Sequence, residues 1–442
     1  MISCLLFTLL FQDKPRVDES LRVNYIMLDV IATDEAGRPV TDLTRKDFTV
    51  TEGRRKMGID LFETLDFRSP EEGGPNYKPN EDPIRQTMVL VLDLAMLQPN
   101  RVNQTFAQLK QMFSAIDDRS DLQIFLFSLD MGLISQGFTD SPGDADADLN
   151  IFRDRFLDSM SEMRIAARSL SLANLETEMV QCLNQEHASA ETLNRGQGMI
   201  GVCLENAHAA FASNQSRYAR KRLDILGRLI NILSRVEGLK SVYFLSPGFS
   251  LNPGHAAADL TQAYRQLRGA PGLNPSQSAA GVDNFSSNPG ERSDFTSVFD
   301  RLPTQITLDI QSLERDFNLL SQSALKHRVI FHTFTLARED IADRSNAAST
   351  RGIQSGQIYN SFNNNLQNGL LQLAQHTGGR HTNRSELAKS LLQTLDDHRF
   401  QYVIGYEKPR GGKRFRNIKV KCKRPGVVLH HRQGYDPTLL NR

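Results

Sequence analysis

The chain has 442 residues, which is more than one compact domain usually contains and predicts two or three domains. Its 52 lysines and arginines nearly balance its 51 aspartates and glutamates, so no overall charge selects nucleic acid or an anionic membrane as a partner. The absence of tryptophan and an aromatic content of 7% also argue against a stacking platform for single-stranded nucleic acid.

The amino terminus carries a short apolar run at residues 5–11. An export signal usually begins with basic residues, but no Lys or Arg precedes this run. Residues 1–15 are therefore predicted to be an atypical export leader, and the alternative is a cytosolic chain with an apolar tail. No later stretch approaches the about 20 apolar residues that a transmembrane helix needs. We therefore expect an extracytoplasmic protein, periplasmic or secreted, without a transmembrane segment.

Both ends of the chain have β patterns. Residues 16–68 contain alternating strands separated by Asp, Gly and Pro turns, and the Pro-, Gly- and acid-rich residues 69–83 are predicted to be a linker. Residues 400–442 return to strands with period-two alternation. A hairpin tail of this size is too small to be stable alone, so we expect it to complete one β-sandwich with the N-terminal strands.

Between these ends, residues 84–399 alternate apolar strands with amphipathic helices, which predicts a doubly wound, mostly parallel α/β sheet inserted into the sandwich. Helices are expected at 101–116 and at 220–236, the arginines of the second facing water. Residues 144–210 should form a helical insert and residues 268–300 a long flexible loop. The predicted strands are residues 87–92, 122–129, 240–245 and 328–336.

The first of these strands ends at Asp93, where a parallel sheet of this kind binds its ligands. This arrangement resembles a von Willebrand factor type A domain, in which Asp-x-Ser-x-Ser after the first strand holds a divalent cation. Further segments in the same order resemble the VWFA-related domain family of the acidobacterial type. They are residues 40–50 (VTDLTRKDFTV), 237–249 (EGLKSVYFLSPGF), 373–380 (LAQHTGGR), 401–406 (QYVIGY) and 432–435 (RQGY).

The match spans roughly residues 20–436, and it implies an exported or envelope-associated protein without an established catalytic activity. The metal-binding residues of the family are largely replaced. Ala95 and Leu97 stand at the two hydroxyl positions, and Pro247 stands where metal-binding relatives have an Asp. Thr139 is the counterpart of the family's loop threonine. Because Ala, Leu and Pro offer no side-chain oxygen, we predict a degenerate site without a metal or other cofactor.

The leading hypothesis is a non-enzymatic module that binds a protein partner through the usual face of the family, made apolar by an exposed Leu94, Met96 and Phe249. One alternative is a metal-dependent adhesion domain with a rearranged cation site that uses Asp93 and Asp140. The candidate partner-binding residues are Asp93, Leu94, Ala95, Met96, Leu97, Thr139, Asp140, Pro247 and Phe249.

The other alternative is an enzyme in the helical insert, although its residues have no convergent spacing and no catalytic motif is present. Its candidate residues are Glu176, Glu178, Cys182 and His187.

Four further features have ordinary structural explanations. Cys182 and Cys203 either bridge, if the chain is exported, or remain free like Cys422. His430 and His431 are adjacent on a strand, so their rings should point to opposite faces and not share an ion. The Thr-Gly-Gly turn at residues 377–379 fits a helix C-cap better than an anion nest. Lysines alternating along residues 419–423 indicate a solvated face, a protected edge or a site for an acidic partner.

Overall fold

A computed structural model of the chain describes residues 25–67, 86–116, 122–135, 137–184, 193–236, 238–255, 258–260, 302–336, 355–383, 386–409, 416–435 and 437. The predicted leader, the linker at 69–83 and the loop at 268–300 lie outside the described residues.

The described strands, numbered in chain order, form three sheets. They are β1 Tyr25–Thr33, β2 Phe48–Glu52, β3 Arg55–Met57, β4 Leu61–Asp66, β5 Gln86–Leu92, β6 Leu122–Ser128, β7 Gly132–Leu133, β8 Lys240–Ser246, β9 Val329–Thr335, β10 His381–Thr382, β11 Phe400–Glu407, β12 Arg416–Cys422, β13 Val428–His430 and β14 Gly434–Tyr435. A single 3-10 turn at Arg45–Asp47 precedes β2. The α-helices are α1 Pro99–Ala115, α2 Pro142–Arg168, α3 Leu172–Asn184, α4 Leu193–Leu233, α5 Leu302–Lys326, α6 Ser355–Thr377 and α7 Leu387–Asp397.

The middle of the chain forms a six-stranded sheet in the order β10-β9-β8-β5-β6-β7. Its strands are parallel except β7, which runs antiparallel to β6. Every residue of β5 and β8 is buried, as a strand covered on both faces should be. The apolar runs therefore located these strands correctly, and the prediction of an α/β fold with parallel strands is confirmed.

Helices cover both faces of this sheet. Met88 and Leu90 of β5 belong to a core shared with α1, α2 and α7. Val89 and Val91, which alternate with them, belong to a second core shared with α4, α5 and α6. Because successive side chains of a strand point to opposite faces, these two cores define a three-layer, doubly wound arrangement.

The order of the strands reverses at the centre of this sheet. From β5 the chain proceeds outward through β6 to β7, and from β8 it proceeds the other way through β9 to β10. The carboxyl ends of β5 and β8 therefore flank a topological switch point, the position at which open α/β sheets bind ligands.

Strands from the two ends of the chain form two further sheets, β13-β1-β11-β4 and β14-β12-β2-β3. Their inward side chains share one core, which includes Leu28, Val50, Tyr402 and Val420. A charged contact joins this part of the protein to the α/β sheet, since Arg328 Nη2 lies 2.6 Å from Asp29 Oδ1.

The helices between β7 and β8 have two packing environments. Phe152, Phe156 and Met160 of α2, which are spaced four residues apart, are buried in the core of the sheet. Helix α3 packs on α4 in a separate core, and a disulfide joins Cys182 to Cys203 there. The interpretation of these two cysteines as free thiols is therefore wrong, whereas Cys422 on β12 is a free, half-buried thiol.

None of the helices in the described residues combines the length and the apolar character that crossing a membrane requires.

Candidate functional site

Asp93 lies directly after β5, at the switch point of the sheet. Its backbone N–H donates to the carbonyl oxygen of Leu245 at the end of β8, at 2.9 Å. Its side chain is fully buried. The strand pattern therefore placed this carboxylate correctly at the carboxyl edge of the sheet, but the site around it is closed to solvent.

Arg222 of α4 reaches Asp93 and supplies a positive charge in the site. One nitrogen, Arg222 Nη2, lies 2.7 Å from Asp93 Oδ1 and 2.6 Å from Oδ1 of Asp130, which follows β6. The three side chains are between 0% and 5% exposed. A single guanidinium nitrogen thus bridges two buried carboxylates from neighbouring strands.

Two hydroxyl groups complete the contacts of Asp93. Ser246 Oγ, at the end of β8, donates to Asp93 Oδ2 at 2.7 Å, and Tyr218 OH donates to Asp93 Oδ1 at 3.1 Å. The Tyr218 ring also stacks below the Arg222 guanidinium, 4.1 Å from its carbon. Burial raises the pKa of Tyr218 well above its usual value, and the nearby Asp93 raises it further. Tyr218 is therefore a neutral donor at any physiological pH.

Asp130 also fixes the turn that follows β5. Its Oδ2 accepts hydrogen bonds from the backbone N–H groups of Leu94 and Ala95, at 3.0 and 3.1 Å. Burial and then the charge of Asp93 raise the pKa of Asp130, while Arg222 acts in the opposite direction. Burial makes the largest contribution to the pKa of Arg222 and lowers it, but the attractions of Asp93, Tyr218 and Asp130 together outweigh burial, so this pKa is raised. The guanidinium is accordingly a permanent cation held between these carboxylates.

We call these five residues, Asp93, Asp130, Tyr218, Arg222 and Ser246, the arginine cluster. It does not fit a hard divalent cation in the manner of the family that the sequence resembles. Such an ion needs near-octahedral oxygen ligands. Here the positively charged guanidinium of Arg222 already occupies the position between Asp93 Oδ1 and Asp130 Oδ1, where it would repel a cation. Within the described residues, no group of three or more His, Cys, Asp or Glu side chains is arranged to hold a metal ion.

The expected apolar binding face is not present at this edge. Leu94 and Leu97 are 0% and 2% exposed and pack into the core beside α1, and Phe249 is 0% exposed. The expectation that Leu94 and Phe249 are exposed is therefore wrong. Ala95 and Met96 are half-buried. Leu94 is buried because its backbone N–H donates to Asp130, and this hydrogen bond holds the turn after β5 against the sheet.

Phe249 is buried because α6 lies against the loop that follows β8. Gly369 of α6 approaches so closely that a Cβ atom there would collide with the Phe249 carbonyl oxygen. Pro247 is buried in the same loop, and Gly248 adopts a positive φ of 102°. The loop is therefore a packed connection between sheet and helix rather than a free surface.

Thr139 and Asp140 lie elsewhere on the sheet. Thr139 exchanges backbone hydrogen bonds with Ile124, which is four residues before Ser128 at the carboxyl end of β6. Four residues of strand correspond to about 13 Å, so Thr139 lies about this far from the carboxyl end of β6. Asp140 is exposed. The structure does not bring Thr139 and Asp140 to Asp93, so the rearranged cation site is not assembled.

The sequence analysis missed the residues that complete the site. The helix at 220–236 was expected to turn its arginines to water, and this is wrong for Arg222, which is 3% exposed. Arg228 on the same helix does face solvent. Two signals in the sequence pointed to these residues. The spacing of Tyr218 and Arg222 places both on one face of a helix, and Asp130 follows the end of its own strand.

The hypothetical enzyme in the helical insert has no free thiol nucleophile among its described candidates. Cys182 is committed to the disulfide with Cys203. Glu176 accepts a hydrogen bond from Tyr359 OH, and Glu178 accepts one from Asn174. The fourth candidate, His187, lies outside the described residues.

Two minor predictions are confirmed. Helix α6 ends at Thr377, Gly378 follows with a φ of 88°, and β10 begins at His381, as expected for a helix C-cap and turn. His430 and His431 use different partners, since His430 Nε2 contacts Arg380 whereas His431 Nε2 accepts from the Val420 N–H.

Comparison of the chain with protein-family models, with curated proteins and with solved structures finds no match. The argument for function therefore depends on the geometry of the arginine cluster and on the resemblance in the sequence.

Proposed function

We propose that the chain is a type A-like interaction module, of the VWFA-related kind, whose cation has been replaced by the side chain of Arg222. A carboxylate after the first strand of a doubly wound sheet supports the resemblance, because this is where type A domains hold their divalent ion. The observation that carries the proposal is the pair of contacts from Arg222 Nη2 to Asp93 and Asp130, at 2.7 and 2.6 Å.

The replacement has a simple electrostatic logic. A carboxylate buried at the switch point is stable only if a positive charge and hydrogen-bond donors satisfy it. A divalent ion can do this and also bind an outside ligand through a free coordination position. A guanidinium satisfies the carboxylate but offers no such position. The edge of the sheet is then fixed by charge pairing within the chain, and partner binding does not depend on a metal.

The module is proposed to be non-enzymatic and extracytoplasmic, and its partner is proposed to be a protein. In the part of the chain that the structure describes, the arginine cluster is closed to solvent, because Asp93, Arg222 and Ser246 are each at most 3% exposed. The disulfide between Cys182 and Cys203 supports an oxidising location, since such bonds persist mainly in exported proteins.

The direct test is a thermal melt of the purified protein in EDTA and then in excess Mg²⁺, Mn²⁺ or Ca²⁺. A ligand that binds only the folded state raises the melting temperature. We expect the same melting temperature in every condition, because Arg222 already neutralises the site. A rise of several degrees that the Asp93→Ala substitution abolishes would overturn the proposal, since it would mean that the chain binds a cation through Asp93.

A further inference from the structure

The outer face of the sheet β14-β12-β2-β3 carries a group of lysines that have no charged partner among the described residues. On β12, Ile418 and Val420 are buried whereas Lys419 and Lys421 are exposed. On β3, Lys56 is exposed and shares the partner residue Thr51 with Lys419. Residues directly opposite each other in a sheet lie on the same face, so Lys56, Lys419 and Lys421 point to the same side. We call these three residues the lysine face.

The neighbours of these lysines do not neutralise them. The residues between them are threonines, because Lys421 is paired with Thr49, and Thr51 lies between the other two lysines. Within the described residues, none of the three lysine side chains forms a hydrogen bond or an ion pair. The acidic residue of β2, Glu52, is on the inner face.

Acidic side chains beside this sheet are already engaged. The Asp47 carboxylate, directly before β2, accepts hydrogen bonds from the backbone N–H and the hydroxyl of Thr44. Glu52 pairs with Arg416 and accepts hydrogen bonds from Tyr406 and Tyr435. Asp42 pairs with Arg424 at 2.6 Å. Clustered like charges destabilise a sheet, so three lysines kept together without an acid call for an external partner of opposite charge.

Protection of a sheet edge accounts for Lys56, which lies on the edge strand β3, but not for Lys419 and Lys421. Lysines commonly block edge strands from pairing with other chains. However, β12 is an inner strand that lies between β14 and β2. Its remaining side is covered as well, since the Ile418 N–H donates to the Gln433 carbonyl oxygen at 2.7 Å. An inner strand needs no such protection.

The spacing of the positive charges favours an extended acidic polypeptide. Lys419 and Lys421 are two residues apart on one strand, which corresponds to about 7 Å, and Lys56 lies two strands away, at about 10 Å. Every second side chain of an extended peptide repeats at the same distance of about 7 Å. The threonines between the lysines offer no aromatic ring on which a nucleic-acid base could stack.

From this geometry we propose that the lysine face docks an acidic segment of a partner protein, bound in an extended conformation. Carboxylates of the segment pair with Lys56, Lys419 and Lys421, and the threonines leave the surface between them flat. This surface is separate from the arginine cluster, so its failure in an experiment would leave the metal-free module untouched, and the converse also holds.

The experiment is a fluorescence anisotropy titration of the full chain against a labelled peptide of alternating glutamate and serine. We expect saturable binding that weakens as the ionic strength increases, because exposed ion pairs are screened by salt. The variant with Lys56→Gln, Lys419→Gln and Lys421→Gln should bind about tenfold more weakly, from the loss of three exposed ion pairs. Circular dichroism of this variant checks that the strands are retained.

The matched control removes the same amount of charge from other surfaces. Lys110, Lys326 and Lys389 are exposed and lie on helices α1, α5 and α7, and their triple substitution by Gln should leave peptide binding unchanged. Equal weakening in both triple variants, or no binding by the native chain, would overturn the proposal. Tighter binding to phosphatidylserine vesicles or to duplex DNA than to the peptide would also overturn it, because the acidic polypeptide would not be the preferred partner.

Discussion

Replacing Arg222 with methionine would leave two buried carboxylates without the positive charge that lies between them. The native contacts are 2.7 Å to Asp93 and 2.6 Å to Asp130, and all three side chains are at most 5% exposed. Removal of one partner from a buried ion pair typically costs about 3–5 kcal/mol, because the remaining charge is no longer compensated. Arg222→Met should therefore lower the free energy of unfolding by this amount, measured by denaturant titration.

The same helix provides a matched control. Arg228 Nη2 contacts Asp224 Oδ2 at 2.8 Å, nearly the same distance, but these side chains are 74% and 60% exposed. An exposed pair of this kind contributes only about 0.3–0.5 kcal/mol. Arg228→Met should therefore have little effect. If Arg222→Met were as harmless as Arg228→Met, the reasoning about the buried charge would be refuted.

Removing the charges together should recover much of the loss. A triple variant with Arg222→Met, Asp93→Ala and Asp130→Ala has no buried charge left in the arginine cluster. Apolar replacement of a complete buried ionic group is often close to neutral. The triple variant should be clearly more stable than Arg222→Met alone, and a simple sum of separate losses would contradict this interpretation.

Three further outcomes follow from other parts of the structure. Phe249→Asp should unfold the protein because the ring is fully buried, whereas Met96→Asp at a half-buried position should fold; circular dichroism distinguishes them, and a folded Phe249→Asp would contradict the packing. Burial, followed by neighbouring positive charges, lowers the pKa of His398 to about 3, so the unfolded chain binds this proton first as pH falls. Stability should be greatest above about pH 6.5 and fall toward pH 4 by up to about 1.4 kcal/mol per pH unit for this residue. His398→Gln should flatten this slope and His255→Gln, at an exposed site, should not; equal slopes would refute the assignment. Cys182→Ser removes a disulfide that closes 21 residues and should cost about 3 kcal/mol in a denaturant titration, and unchanged stability would contradict the bond.

Much of the α/β sheet could be predicted from the sequence because its strands are buried on both faces. Such strands have continuous apolar runs, as in Met88–Leu92, and this signal needs no knowledge of distant contacts. The end of the first strand also located Asp93. These features depend on local periodicity, which a single sequence contains in full.

The partner of Asp93 could not be predicted in the same way. Arg222 is 129 positions further along the chain, and it lies on the same helix as Arg228, which faces solvent. Periodicity assigns a charged residue to water unless a distant opposite charge meets it. The burial of Phe249 escaped prediction for a related reason, since it depends on the close approach of Gly369 on α6.

The most direct test of the central claim is a titration with Mn²⁺ followed by electron paramagnetic resonance, for the native chain and for Arg222→Ala. The account predicts no bound ion in the native chain, because the guanidinium already lies between Asp93 and Asp130. With the guanidinium removed, the two carboxylates and the Ser246 hydroxyl become available, and Arg222→Ala should bind one ion. Stoichiometric binding of Mn²⁺ by the native chain, lost on Asp93→Asn, would contradict the account.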